Sequence, residues 1–186
     1  GKRVAPADLG LMASLGFAEG PVRRRLRVAF FSTGDELRSV GEPLAPGEVY
    51  DSNRYTIWGM LTRLGVEVID MGVVRDDPAL LEAAFRRAAA EADAIITSGG
   101  VSVGEADHTR TMMRQLGDVA FWRIAMRPGR PMAVGRIRSE FQAKSASSAH
   151  RPSAGSYQNE STHGAAGGSV LFGLPGNPVA VMITFY

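Results

Sequence analysis

From Arg27 onward this chain alternates short apolar runs with stretches of helical period, and turn residues separate them. Val28 to Phe31 reads as a strand. Ser52 to Leu64 places Ile57, Met60, Leu61 and Leu64 on one helix face, and Gly65 stops it. Val66 to Met71 is the next strand, after which Asp77-Pro78 caps a helix whose apolar face is Leu81, Ala84, Phe85 and Ala88. Asp93 to Thr97, apolar and β-branched, suits a buried central strand; glycines follow it, then a helix carrying Met112, Met113 and Leu116 that ends at Gly117. A βαβαβα order of this kind predicts an α/β chain with three layers, α/β/α, around a mainly parallel sheet.

Beyond the third helix the rhythm changes. Val119 to Met126 and Met132 to Ile137 are two extended runs separated only by Arg127-Pro128-Gly129-Arg130-Pro131, a hairpin or bent pair. Residues 138–169 are rich in Ser, Ala, Gly and His and poor in large apolar side chains, so burial there cannot offset ordering entropy. A mobile insertion on the β-hairpin is expected. Val170-Leu171-Phe172 resumes a strand, Leu174-Pro175-Gly176-Asn177-Pro178 turns sharply, and a helix starts with proline near its first position. Residues 1–20, with a short helical pattern closed by Gly16 and a Gly20-Pro21 break, read as the tail of a preceding domain. The domain proper is then 21–186, within a chain cut at both ends.

Hydrophobic residues at 45% and charged residues at 22% are ordinary for one globular core, and a net charge of +2 is too even to argue for nucleic acid. The absence of cysteine excludes disulfides and thiolate metal sites and fits a reducing, cytoplasmic compartment. No apolar run reaches membrane-spanning length, so no membrane is expected as a partner.

Chemistry concentrates in the loops that follow strands, where open α/β sheets bind ligands. The densest is Ser98-Gly99-Gly100-Val101-Ser102-Val103-Gly104-Glu105-Ala106-Asp107. Gly99 and Gly100 let successive N–H groups point into one concavity, and Ser98 and Ser102 add hydroxyls; this is either an anion cradle or a tight structural turn. Thr33-Gly34-Asp35-Glu36 follows the first strand and Arg75-Asp76-Asp77 the second, so several acids can meet at one sheet edge. Asp77 is better explained as a helix cap. Asp76 is then left for a site, while Asp35 and Glu36 divide evenly between turn and site. Acids beside a phosphate site commonly hold Mg²⁺ or orient a water. Arg127 and Arg130 in a proline-braced turn suit oxyanions or solvent, and Arg123 falls on the face of Arg127 if the run stays extended. The Pro175-Gly176-Asn177 turn either presents backbone N–H groups to a ligand or is simply rigid. His108, His150 and His163 lack metal-ligand spacing, no Ser-His-Asp set is legible, and no Lys-Ser/Thr follows the glycine loop as a nucleotide P-loop requires.

Taken together, Pro6-Ala7-Asp8-Leu9-Gly10-Leu11, Ser32-Thr33-Gly34-Asp35-Glu36-Leu37, Asp51-Ser52-Asn53-Arg54, Arg75-Asp76-Asp77, the glycine loop to Asp107, Arg127-Pro128-Gly129-Arg130-Pro131 and Leu174-Pro175-Gly176-Asn177-Pro178 resemble the central, molybdopterin-binding domain of the molybdopterin molybdenumtransferase family, which includes the E domain of gephyrin. The strings stand in family order from Pro6 to Pro178. The resemblance implies the molybdopterin-binding fold, and a late step of molybdenum cofactor synthesis: molybdate enters the dithiolene of adenylated molybdopterin and the adenylate is hydrolysed, releasing AMP, assisted by a divalent cation such as Mg²⁺. It implies Glu36, Asp76 and Asp107 as catalytic and Mg²⁺-binding acids. Thr33, Gly34, Asp35, Ser98, Gly99, Gly100, Ser102, Gly104, Arg123, Arg127, Arg130, Pro175, Gly176 and Asn177 are the implied substrate contacts. Arg123 and Arg127 stand where the family usually has lysine, and the 138–169 insertion is longer than the family's hairpin. A homodimer and a molybdopterin adenylyltransferase partner are further implications. The competing readings are a same-fold adenylyltransferase and a non-catalytic scaffold.

Overall fold

The structure is a computed structural model and describes residues 2–101, 108–139 and 168–186. Its elements are α1 (Pro6–Ser14), β1 (Arg27–Thr33), β2 (Leu37–Arg38), β3 (Val49–Tyr50), α2 (Ser52–Leu64), β4 (Glu67–Val74), α3 (Pro78–Glu91), β5 (Ala94–Ser98), α4 (His108–Leu116), β6 (Gly117–Arg123), β7 (Pro131–Ile137), β8 (Ser169–Leu174) and α5 (Pro178–Phe185). Six strands form one sheet in the order β4-β1-β5-β8-β7-β6. The four strands β4, β1, β5 and β8 are parallel; β7 and β6 continue the sheet antiparallel.

Strand β1 shows why both faces are covered. Its side chains alternate between two cores: Ala29 and Phe31 join Leu81, Ala84, Phe85, Met112 and Met113 on one face, while Val28 and Phe30 join Ile57, Met60, Leu61 and Val181 on the other. A period of two along a strand buried on both sides has this outcome. Helices α3 and α4 therefore cover one face, α2 and α5 the other, which gives the expected three layers. Phe31 meets Phe85 edge to face at 5.1 Å between ring centroids. Full burial of two such side chains contributes roughly 1.5–3 kcal/mol each.

Gly65 and Asp77 act as the sequence signals predict, and Asp51 adds a cap that the sequence reading did not name. Asp51 accepts from Arg54 N–H at the start of α2, Gly65 ends it in the left-handed region, and Asp77 accepts from Ala79 and Leu80 N–H at the start of α3. The expectation that Asp77 is a cap holds. Strand bounds shift by up to three residues, as in β4, which runs Glu67–Val74 where the sequence reads Val66 to Met71, and two features change the picture near the site. Strand β6 stops at Arg123, not Met126: Ile124 N–H still bonds Arg130 O in the β6–β7 register, and the chain turns between those two residues, so Arg123 and Arg127 do not share one strand face. The stretch between Leu37 and Tyr50 contains a small parallel pair, β2 with β3, that has no period to betray it. Helix α1 buries none of its residues. Of the expected 138–169 insertion, residues 140–167, including His150 and His163, lie outside the described residues.

From β1 the chain crosses by α2 to β4 on one side, then returns by α3 to β5 on the other side of β1. Right-handed crossovers in opposite directions put α2 and α3 on opposite faces. The strand order reverses between β1 and β5, and the loops at their carboxyl ends separate there.

Candidate functional site

A cavity of about 620 Å³ opens at that switch point. Its wall comes from the carboxyl ends of β1 (Thr33, Gly34, Asp35, Glu36) and β5 (Ser98, Gly99, Gly100), from Asp76 after β4, from Asn53 and Thr109 on α2 and α4, and from the turns at Pro128-Gly129 and Pro175-Gly176-Asn177. Loops separated by more than a hundred residues of chain thus share one concavity, as open α/β sheets require.

The two glycines after β5 are there because nothing else fits. Gly99 has φ +92°, and a Cβ on it would stand 2.3 Å from Thr33 O; its own N–H donates to Leu174 O at 3.1 Å. Gly100 has φ +67°, and its Cβ would meet Thr109 Cβ at 2.4 Å. Both a left-handed backbone and close packing exclude any side chain. The tight-turn and ligand-cradle readings of this loop therefore coexist, since the same glycines form the turn and line the cavity.

The acids are tied to one another through the backbone. Asp35 Oδ1 accepts from Asp76 N–H at 3.2 Å, which fixes the β1 loop against the β4 loop. Asp76 Oδ1 in turn accepts from Thr109 N–H (3.3 Å) and Thr109 Oγ1 (3.2 Å), so it caps the first turn of α4 from another loop. A carboxylate at a helix N-terminus is favoured by the exposed N–H groups there. Because Thr109 Oγ1 donates to Asp76, the long 3.4 Å contact with Thr33 Oγ1 runs from Thr33 to Thr109. Glu36 folds back over the loop: a Cβ on Gly34 would come 2.7 Å from Glu36 Oε2.

Of the residues expected from sequence, Thr33, Gly34, Asp35, Glu36, Asp76, Ser98, Gly99, Gly100, Pro175, Gly176 and Asn177 line this cavity. Asn177 also caps α5 by accepting from Ala180 N–H at 3.1 Å. Arg123, Arg127 and Arg130 are exposed and do not line it; the turn contributes Pro128, Gly129 and Pro131 instead. Ser102, Gly104, Glu105 and Asp107 lie outside the described residues. Two polar lining residues were not singled out from sequence. Asn53 sat inside the Asp51-Ser52-Asn53-Arg54 string, and Thr109 looked like ordinary helix. Among the described residues no three His, Cys, Asp or Glu side chains gather closely enough to hold a metal ion, and no helix is long and apolar enough to cross a membrane.

A doubly wound sheet with a glycine-walled cavity at its switch point has the layout in which open α/β domains bind ligands. The family described as a probable molybdopterin binding domain matches residues 29–186, and the chain belongs to that family. Over its whole length it is 42% identical to the molybdopterin molybdenumtransferase of Haemophilus influenzae, of which it covers 39%. Among solved structures, a molybdopterin biosynthesis MoeA protein from Pyrococcus horikosii superposes with a TM-score of 0.71 at 30% identity, covering 99% of this chain and 38% of that one. The tungsten cofactor synthesizing protein MoaB from Pyrococcus furiosus shares the fold, with a TM-score of 0.55 at 19% identity over 87% of this chain and 88% of that one. The chain thus spans about two fifths of the transferase relative that it matches.

Proposed function

We propose that the chain is the molybdopterin-binding domain of a molybdopterin molybdenumtransferase, acting late in molybdenum cofactor biosynthesis. Adenylated molybdopterin occupies the switch-point cavity, molybdate enters its dithiolene as a substrate, and the phosphoanhydride is hydrolysed to release AMP. The observation that carries this reading is the convergence on one cavity of Glu36, Asp76 and the Gly99-Gly100 loop in a chain 42% identical throughout to a transferase of that name.

In this reading the glycine loop binds phosphate oxygens through backbone N–H groups that no side chain obstructs. Asp76, already oriented by Thr109, positions the attacking water and accepts its proton as the P–O bond to the adenylate breaks. Glu36 and Asp107 complete the acidic set. Carboxylates are the hard oxygen donors Mg²⁺ prefers, and Glu36 and Asp76 both face the cavity, so these two with Asp107 would hold that ion. Bound there, Mg²⁺ supplies charge neutralisation at the phosphates. Arg127 and Arg130 adjoin Pro128, Gly129 and Pro131, which line the cavity, and with the exposed Arg123 they attract the anionic substrates before they enter. A homodimer of the full-length protein and transfer from an adenylyltransferase partner belong to the same reading.

The test is to incubate the full-length protein with adenylated molybdopterin, molybdate and Mg²⁺ and to follow AMP and molybdenum incorporation. Release of AMP coupled to incorporation is expected; neither product would overturn the transferase reading.

A further inference from the structure

Asn53 lies at the first turn of α2, is only 6% exposed, and makes no backbone-capping bond with its side chain. Its Nδ2 instead donates to Gly176 O and to Ser98 Oγ, each at 2.7 Å. A backbone carbonyl can only accept, so the amide nitrogen must face Gly176, and this fixes which way the amide points. The second hydrogen of that nitrogen then goes to Ser98 Oγ. A hydroxyl that accepts from a committed donor keeps its own hydrogen to give elsewhere. Ser98 is 1% exposed and lines the cavity. Asn53 also joins two loops already stitched by Gly99 N–H to Leu174 O, and Gly176 packs against Gly99 closely enough that a Cβ on it would lie 3.7 Å from Gly99 Cα.

We propose that Asn53 is a positioning residue for the ligand: it holds Ser98 as a hydrogen-bond donor toward an acceptor oxygen of the bound substrate and keeps the Pro175–Asn177 turn against the glycine loop. This rests on the reading that the cavity binds adenylated molybdopterin. An aspartate in place of Asn53 has the same shape and inverts the chemistry. Its carboxylate accepts from Ser98 O–H, drawing that hydrogen away from the cavity, and it faces Gly176 O with no donor.

The experiment measures KM and kcat for AMP release by the full-length protein and its Asn53→Asp, Ser98→Ala and double variants. Asn53→Asp is expected to raise KM by about tenfold, the scale of one or two lost hydrogen bonds, with kcat changed far less. Ser98→Ala should raise KM by a smaller factor. In the double variant the two effects should not multiply, because Asn53→Asp has already taken the Ser98 donor away. Multiplied effects, or an unchanged KM in Asn53→Asp, would overturn the proposal. If Asn53→Asp does not fold by circular dichroism, Ser98→Ala decides alone, since it removes one oxygen: a raised KM at constant kcat supports the donor role and an unchanged KM overturns it. Absence of AMP from the unmodified protein would instead overturn the transferase reading, and this inference with it.

Discussion

The two ends of the parallel strands treat their polar groups in opposite ways. At the amino end, Asp93 is saturated: Arg24 Nη2 donates to Oδ1 at 2.6 Å, Arg24 Nη1 to Oδ2 at 2.7 Å, and Arg27 N–H also reaches Oδ2 at 2.9 Å. Ser169 Oγ nearby donates to the carbonyls that end α3. At the carboxyl end, Ser32 Oγ, Thr97 Oγ1, Asn53 Oδ1 and Asp51 Oδ2 are buried and make no hydrogen bond among the described residues. Buried polar groups are normally paired, so leaving them unpaired costs stability. One edge of this sheet is built to hold together, and the other keeps hydrogen-bonding capacity that the described residues do not use. The cavity lies at the second edge, and of these four residues Asn53 lines it.

The comparison can be broken most forcefully at the glycine loop. Gly99→Ala puts a Cβ into Thr33 O at a left-handed backbone position, and should destabilise the protein by roughly 3 kcal/mol. Urea unfolding measures it. A loss smaller than that of an amino-edge variant would mean the loop relaxes and is not a fixed cradle. Next come the acids. Asp76→Asn keeps an oxygen that can accept from Thr109 N–H and Oγ1, so the fold should hold while AMP release slows by about tenfold or more. Asp107→Asn should act the same way. Unchanged turnover in either variant would remove that acid from the mechanism.

How much of this was legible in the sequence divides along the same line as the physics. Elements with a period were readable: β1 and β5 as apolar runs, α2 and α3 from Ile57, Leu61, Leu81 and Phe85, the end of α2 from Gly65 and the start of α3 from Asp77. The loop glycines were readable because steric exclusion is a local property of residue type. What the sequence could not show is who meets whom across distance. Asn53 bonds partners 45 and 123 residues away, and no local pattern encodes that. The pairing of β2 with β3 is two residues long on each side, too short to carry alternation. Arg127 fell off the expected face because the hairpin turns between Ile124 and Arg130, which still pair in the β6–β7 register, so the chain reverses earlier than its side-chain pattern suggests.

The amino edge predicts smaller effects, and of a different kind. Asp93→Ala leaves Arg27 N–H without its acceptor and should cost about 1–2 kcal/mol in unfolding free energy, with AMP release by the full-length protein unchanged. A fall in turnover comparable to that of Asp76→Asn would show that the two edges are coupled and that the division drawn between them is too sharp.

The gentlest probe of the same contrast is acid. Hydrogen bonds from Arg24, opposed by partial burial and assisted by Arg27 N–H, hold the Asp93 carboxyl below the usual aspartate range. A group whose folded pKa lies below its unfolded value binds its proton more tightly in the unfolded chain. Its stabilising contribution is therefore complete above the unfolded value, about 3.9 for aspartate, and is lost as pH falls from there through the lower folded value. Unfolding midpoints measured from neutral pH down to about pH 3 should fall more steeply for the unmodified protein than for Asp93→Asn, which has nothing to titrate at that position. Parallel curves would mean that the Arg24 clamp forms equally in the unfolded chain, or holds Asp93 too weakly in solution to matter. Curves that converge toward acid would locate a titrating, stabilising contact at the amino edge and complete the contrast with the buried carboxyl-end atoms that no described residue pairs.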